Sequence, residues 1–339
     1  MAVQALSYFM WLVFLLLHSV EFSHCLITFN ATVSLDGSGD YVHISDAIAA
    51  APNNGSIRFY IHVKPGIYKE HIEVPELKTF ISLIGDDAST TVIVDDRSNH
   101  AGFSTTSSAT FTVKAKHFVA QFLTFQNSAG PENGQAVAVL SEANYTAYYK
   151  CVFMGYQDTL YVRGAFQLFK ECDVYGSIDF IFGDGLAIFQ DCNVYARILG
   201  TTITAQSKSY KDQRSGFTFQ NCNVTVSPEI QSIKDQVTVS LGRPWRNYST
   251  VIFMESFLDD IVEPGGWSEW PRTPVYLLFY AEYNNSGSGA DTSQRVKWPG
   301  YHVLHNEDEA SRFTVEIFID GLEWLSETGI PFRRGLYAA

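Results

Sequence analysis

FKECDVYGSIDFIFGDGLAIFQDCNVYA, residues 169–196, states one pattern twice. FKECDVYG returns twenty residues later as FQDCNVYA, and a lone aspartate, Asp179, stands in the apolar run SIDFIFG between the copies. Aligning on cysteine extends the series to YYKCVFMGY at 148–156, FKECDVYGS at 169–177, FQDCNVYAR at 189–197 and FQNCNVTVS at 219–227, with a cysteine-free cousin, FLTFQNSAG, at 122–130. The cysteines at 151, 172, 192 and 222 are separated by 21, 20 and 30 residues. Each unit alternates apolar and polar residues over a few positions and then turns, which is the period of a strand. No long 3.6-residue pattern lies between the units, so the crossover helices of a βαβ sheet are not expected. Short strands at this repeat describe an all-β, parallel solenoid whose coils stack at about 4.8 Å. The longer gap predicts one coil with a loop of about ten extra residues. A leucine-rich repeat would need a leucine consensus, and a propeller units of about forty residues.

Helix signals concentrate at the ends. ISDAIAAAP, residues 44–52, offers Ser45 as a cap and Pro52 as a stop, and a helix there would cover an open end of the solenoid. NNSGSGADTS reads as a flexible polar loop, and 308–325 as a tail packed along the coils. Nothing resembles a linker, so residues 26–339 are expected to form one domain.

Of the 339 residues, 46% are hydrophobic and 17% charged, the balance of a packed globular protein. A formal charge of −13 and the absence of basic runs argue against a nucleic-acid partner. The apolar stretch from Tyr8 to Leu17 is too short to span a bilayer and fits a secretory signal over residues 1–25, although no Lys or Arg precedes it. A buried N-terminal helix is the alternative. Secretion agrees with the sequons at Asn30, Asn54, Asn144, Asn223, Asn247 and Asn284. It agrees also with the even set Cys151, Cys172, Cys192 and Cys222, for which the ladder predicts Cys192–Cys222 first and Cys151–Cys172 second as disulfides. Free buried thiols are the alternative, because a domain this large needs no staples.

A carboxylate among Ile178, Phe180, Ile181 and Phe182 is costly unless it points outward, is paired or is used. Simple alternation would turn Asp179 to the outer face. Asp158, in GYQDTLY, stands 21 residues earlier and therefore about one coil away. Two close carboxylates repel and split their proton affinities, so that one is an acid and the other stays ionised. Gln157 adjoins Asp158, and Gln135 in GQAVAV lies 22 residues before it. Stacked glutamines offer neutral N–H donors for an oxyanion, and Arg243 in LGRPW could hold one aspartate ionised. Each glutamine alone reads as a surface ladder residue; the shared register sets them apart.

GQAVAV, GYQDTLYV, DFIFG, ITAQ and LGRPW, in that order, resemble the plant-type pectin methylesterases, as do VKPGIYKE, LTFQNSAGP, GGWSEW and RVKWPGYHV across residues 30–332. The resemblance implies a right-handed parallel β-helix that removes methyl esters from galacturonan without a metal or other cofactor. It implies Asp179 as nucleophile, Asp158 as proton donor and then base, Gln135 and Gln157 as oxyanion hole, and Arg243 as the group orienting Asp179. Trp245 would contact sugar, with Thr105, Tyr161, Phe182 and Trp267 nearby. A methylated galacturonan in the cell wall is the expected partner, a proteinaceous pectinesterase inhibitor a further one, and the form expected is a monomer without the inhibitor-like pro-region of many relatives. Four departures stand out: Gly134 in place of His, SKSYKDQRSG after ITAQ, FGDG with an added carboxylate at Asp184, and RGAFQLF after QDTLYV.

Competing readings are a pectin-backbone hydrolase or lyase on the same fold, or a wall-binding protein that has lost activity. A backbone hydrolase would space its carboxylates for a water, and a lyase would gather acids for calcium. A serine esterase is disfavoured because no G-x-S-x-G is present.

Overall fold

Residues 27–337 are described by the structure, a computed structural model; the segment expected to be a signal and Cys25 lie outside them. Each coil contributes three strands in fixed order, for example Thr146–Tyr149, Val152–Met154 and Leu160–Val162, followed by Gln167–Lys170, Asp173–Gly176 and Ile178–Gly183. Like strands of successive coils pair in parallel, building sheets of eleven, eight and seven strands, here A, B and C. The chain is thus a single-stranded parallel β-helix, wound in the right-handed sense that parallel crossovers take.

Register places like residues in columns. Tyr148, Phe169, Phe189, Phe219 and Phe253 stack face to face inside sheet A, with ring centroids 4.4–4.8 Å apart. Each such pair adds about 0.5–1.5 kcal/mol to its burial. Phe125, Phe153, Val174, Val194, Val224 and Leu258 form the matching column of sheet B. The long gap between Cys192 and Cys222 resolves as the loop 207–215 between the strands Gly200–Gln206 and Gly216–Gln220. A later coil carries a second excursion, the 3-10 segment Pro228–Gln236.

At the corner between sheets A and B, one residue per coil takes a left-handed backbone: Lys150, Glu171, Asp191, Asn221 and Glu255, with φ of 50–57°. The next residue turns inward, and there the cysteines stack between Leu123 and Ser256. The expected disulfides do not form; all four thiols are free and buried. In-register neighbours of a parallel ladder point the same way, about 4.8 Å apart, whereas a disulfide wants Cβ atoms at about 3.5–4.5 Å with the side chains turned toward each other. Each of the last three thiols instead donates to a carbonyl of the preceding coil, Cys172 to Tyr148, Cys192 to Phe169 and Cys222 to Phe189, at 3.3–3.4 Å. Ser256 repeats that bond to Phe219 at 3.2 Å, so the column uses sulfur and oxygen alike.

The helix Ile44–Ala50 covers the N-terminal end with Ile44, Ala47 and Ile48. Its cap is not Ser45: the Glu70 carboxylate accepts from the Ile44 and Ser45 backbone N–H groups at 2.8 and 3.1 Å. The segment read as flexible is anchored. Arg295, next to it, forms a bidentate pair with Glu282 at 2.8 and 3.1 Å, donates to the carbonyls of Gly289 and Pro264, and is buried. The tail packs along sheet A as expected, pressing Val315, Ile319, Trp324 and Leu325 onto Val119, Ala147, Leu168 and Ile188. Its last residues then run up the stack: Arg333 bonds Gln190, Gly335 accepts from Gln220, and Tyr337 bonds Glu255 and Asp191.

Candidate active site

Sheet C lacks such a cover, and its outer face is a groove of about 370 Å³. Leu140, Tyr161, Phe182 and Ala205 are in register on four successive coils. Tyr161 and Phe182 stack at 4.2 Å, and the Trp245 ring lies 6.2 Å from Phe182. Gln135, Gln157, Asp158, Asp179 and Arg243 join them in the lining, and Thr105 and Thr106 close one side.

Asp179 reaches this face by a local irregularity. Ordinary alternation would carry strand Ile178–Gly183 through without interruption, but the register with the next strand shifts between Ile178 and Ile181, and Asp179 takes φ +52°. Phe180 and Ile181 consequently both enter the core, leaving Asp179 before them and Phe182 after them in the groove. Gly176 makes this possible, since a Cβ there would lie 2.2 Å from Phe180. One coil earlier, Asp158 adopts φ +64° and donates its N–H to Ile178 O at 3.1 Å. Both are more enclosed than a surface ladder implies, at 8% exposure for Asp158 and 5% for Asp179.

Their partners differ. Arg243, at the end of strand Thr238–Gly242, donates from Nε to Asp179 Oδ1 at 2.8 Å and from Nη2 to Oδ2 at 2.7 Å. Asp158 has no hydrogen-bonded side-chain partner among the described residues. Burial, and then the Asp179 charge, push Asp158 well above the usual carboxylate range, with Arg243 pulling only partly back. Burial raises Asp179 too, against the Arg243 grip. Only Asp179 has the guanidinium, so Asp158 is the stronger holder of a proton and Asp179 the first to ionise. Neither the Gln135 nor the Gln157 carboxamide is paired among the described residues, so both keep donors for an incoming oxygen.

Trp267 does not belong here. Leu241 N donates to Gly266 O and Ser268 N to Gly242 O, which lays residues 266–268 beside Leu241 and turns Trp267 inward with it. It packs on Tyr280 and Phe253 and bonds Glu282. Trp270 lines the groove instead, with Arg243 over its ring at 4.4 Å. The motif GGWSEW held both tryptophans, but it has no strand period from which to choose between them. Asp184 stands outside the lining, beside Arg163 at 3.9 Å and Gln213 at 3.4 Å. Gly134 has φ +70° and ψ −147°, a backbone state that glycine alone holds without strain, so this loop requires the departure at that position.

Comparison with known proteins gives the family. The family model described as Pectinesterase matches residues 30–322. A probable pectinesterase/pectinesterase inhibitor of Arabidopsis thaliana is 45% identical over 312 residues, covering 91% of this chain and 59% of its own length. Pectinesterase 2 of Citrus sinensis is 43% identical, covering 91% and 61% respectively. This chain therefore spans about three fifths of the length of these curated relatives. Among solved structures, pectin methylesterase from carrot superposes with a TM-score of 0.89 at 37% identity, over 91% of this chain and 99% of that one. This chain belongs to the pectinesterase family.

Proposed function

We propose that this chain is a secreted pectin methylesterase, hydrolysing the methyl esters of cell-wall homogalacturonan to methanol and free carboxylates. The observation that carries the reading is the asymmetry of the carboxylate pair: Asp179 is gripped by Arg243, and Asp158 is buried beside it with its carboxyl unpaired among the described residues.

The ionised Asp179 oxygen attacks the ester carbonyl carbon, and the Gln135 and Gln157 N–H groups stabilise the oxyanion that forms. As the tetrahedral species collapses, the C–OCH3 bond breaks and Asp158 gives its proton to the methoxide, releasing methanol. The substrate acyl group is now joined to Asp179. Asp158, ionised by that transfer, takes a proton from water; the hydroxide attacks the acyl carbon and frees the acid and Asp179. Arg243 aims Asp179 throughout and keeps it charged. Tyr161, Phe182, Trp245 and Trp270 present ring faces to sugar, and Thr105 lies at one side of the same groove. The groove lining holds no carboxylate besides Asp158 and Asp179, which disfavours a calcium-dependent lyase. No cofactor enters these steps.

The remaining parts of the reading are a signal peptide over 1–25, action in the cell wall as a monomer, and recognition by a proteinaceous inhibitor. Exposed Asn30, Asn54, Asn247 and Asn284 suit glycans better than Asn144 and Asn223, which are half-buried. The test is to follow methanol, chain length and unsaturated ends on methylated galacturonan, with and without chelator. Methanol release at constant chain length, unchanged by chelator, is expected; chain shortening or unsaturated ends without methanol would overturn the proposal.

A further inference from the structure

A second cavity, of about 700 Å³, shares no residue with the groove. It lies between the loop 207–215 and the tail helices Glu307–Ala310 and Val315–Phe318, over the sheet A residues Leu186, Thr250 and Phe279. Its volume falls in the range of small-molecule sites.

Its charge opposes that of the whole molecule. The chain has 36 acidic and 23 basic residues, yet this cavity is lined by Lys208, Arg214 and Arg312 against the single carboxylate Glu309, with burial disfavouring a charge on His302. Arg214 is engaged by Asp320 through two bonds of 2.9 and 3.2 Å. Glu309 accepts from the His305 backbone N–H at 3.0 Å. Lys208 Nζ and the Arg312 guanidinium have no carboxylate within 4.0 Å among the described residues. Lys208 is half-buried, and burial pulls its ammonium below the usual lysine range. Asp212 offsets that burial only in part and forms no ion pair with Lys208, and an arriving anion would offset the rest.

Part of the lining is aromatic. Phe279 stacks on His302 at 4.7 Å and on Phe313 at 5.4 Å, and Phe318 follows at 5.8 Å. A ring slipped against such a wall gains offset or edge contacts, while a carboxylate on it reaches the cations at the rim. We infer that this cavity is a second, non-catalytic binding site for a small aromatic carboxylate, whose acid group is held by Lys208 and Arg312 and whose ring lies against Phe279 and Phe313.

The test is calorimetric titration of the full chain with 4-hydroxycinnamate, alongside the uncharged 4-hydroxycinnamyl alcohol, ringless acetate and digalacturonate. Binding is read without turnover, so the result is independent of the esterase activity. The acid should bind with a Kd of about 0.1 mM or tighter, the range open to so small a ligand, and the alcohol and acetate roughly tenfold more weakly or not at all. Lys208→Glu and Arg312→Glu should each weaken it by roughly tenfold or more, with methanol release and melting temperature unchanged. If a glutamate variant fails to melt cooperatively, Lys208→Gln and Arg312→Gln serve, with a smaller loss in the same direction. No binding at millimolar acid, equal binding of the alcohol, or full binding in both variants would overturn the inference. Loss of binding in Trp245→Ala would place the ligand in the groove, and preference for digalacturonate would overturn the ligand class.

Discussion

Arg243 grips Asp179 through Nε and Nη2 at 2.8 and 2.7 Å, and Arg295 grips Glu282 through the same two nitrogens at 2.8 and 3.1 Å. Around that shared fork everything differs. Glu282 also accepts from Trp267 Nε1 and Tyr301 OH, Arg295 also donates to backbone carbonyls, and the two side chains are 2% and 1% exposed. Among the described residues Asp179 accepts from Arg243 alone, and the Arg243 side chain, 29% exposed, rests its guanidinium on Trp270 in an open groove. A carboxylate whose acceptor sites are all taken is a fastener. One held at two points with lone pairs to spare is oriented and still able to attack.

The sharpest way to break this contrast is Asp179→Asn. It should lower methanol release by about four orders of magnitude or more, the scale on which loss of a nucleophile falls, with little change in melting temperature. Survival of specific activity would mean that Asp179 is a fastener after all. Arg295→Met should do the reverse. Leaving Glu282 buried and unpaired should cost about 3–5 kcal/mol in denaturant unfolding, while the folded fraction keeps its kcat. Gln157→Ala is next, slowing kcat by about a hundredfold or more with the unfolding midpoint unmoved.

The pH dependence of stability sharpens the contrast further. Asp158 is raised by burial and by Asp179, so its contribution is present below its ordinary 3.8 and lost as pH rises through the higher folded value. At Asp191, burial is outweighed by hydrogen bonds from Lys170, Tyr337 and Asn221, which hold it below 3.8; its contribution is present above 3.8 and lost as pH falls. Asp158→Asn should therefore raise the melting temperature near neutral pH and leave it unchanged below about pH 4, and Asp191→Asn should lower it near neutral pH only. Parallel pH profiles for the two variants would contradict these assignments. The smallest effect expected is that of Cys222→Ser, about 1 kcal/mol or less in urea unfolding, since Ser256 makes the same bond one coil on.

The solenoid was legible because every coil repeats one strand pattern, and a repeat is a geometric statement about neighbours. The same register brought Gln135, Gln157, Asp158 and Asp179 onto one face before any coordinates. Arg243, 64 residues beyond Asp179, was suggested by its residue type as a carboxylate's partner, but no period links it to the pair, and only the family resemblance assigned it to Asp179. Alternation placed Asp179 on the outer face but failed just after it, where the left-handed residue sends Phe180 and Ile181 both inward. Ser45 had the right residue type for a cap, but Glu70, 26 residues from Ile44 and fixed by another coil, took the position. The cysteine ladder was correctly stacked and wrongly bridged, since spacing along the chain says nothing about the direction in which Cβ bonds point.

The tail also sets an order in time. Paired strands of sheet A are mostly separated by about twenty to thirty-five residues, so each coil can close on its predecessor soon after it is made. Arg333 and Tyr337 reach back 143 and 146 residues to Gln190 and Asp191. Both residues are synthesised after every coil they touch. Until they and Trp324 arrive, the growing solenoid displays the apolar stripe of Val119, Ala147, Leu168 and Ile188 along its side. The finished coils must therefore wait, with a sticky flank uncovered, until the tail that follows them has emerged.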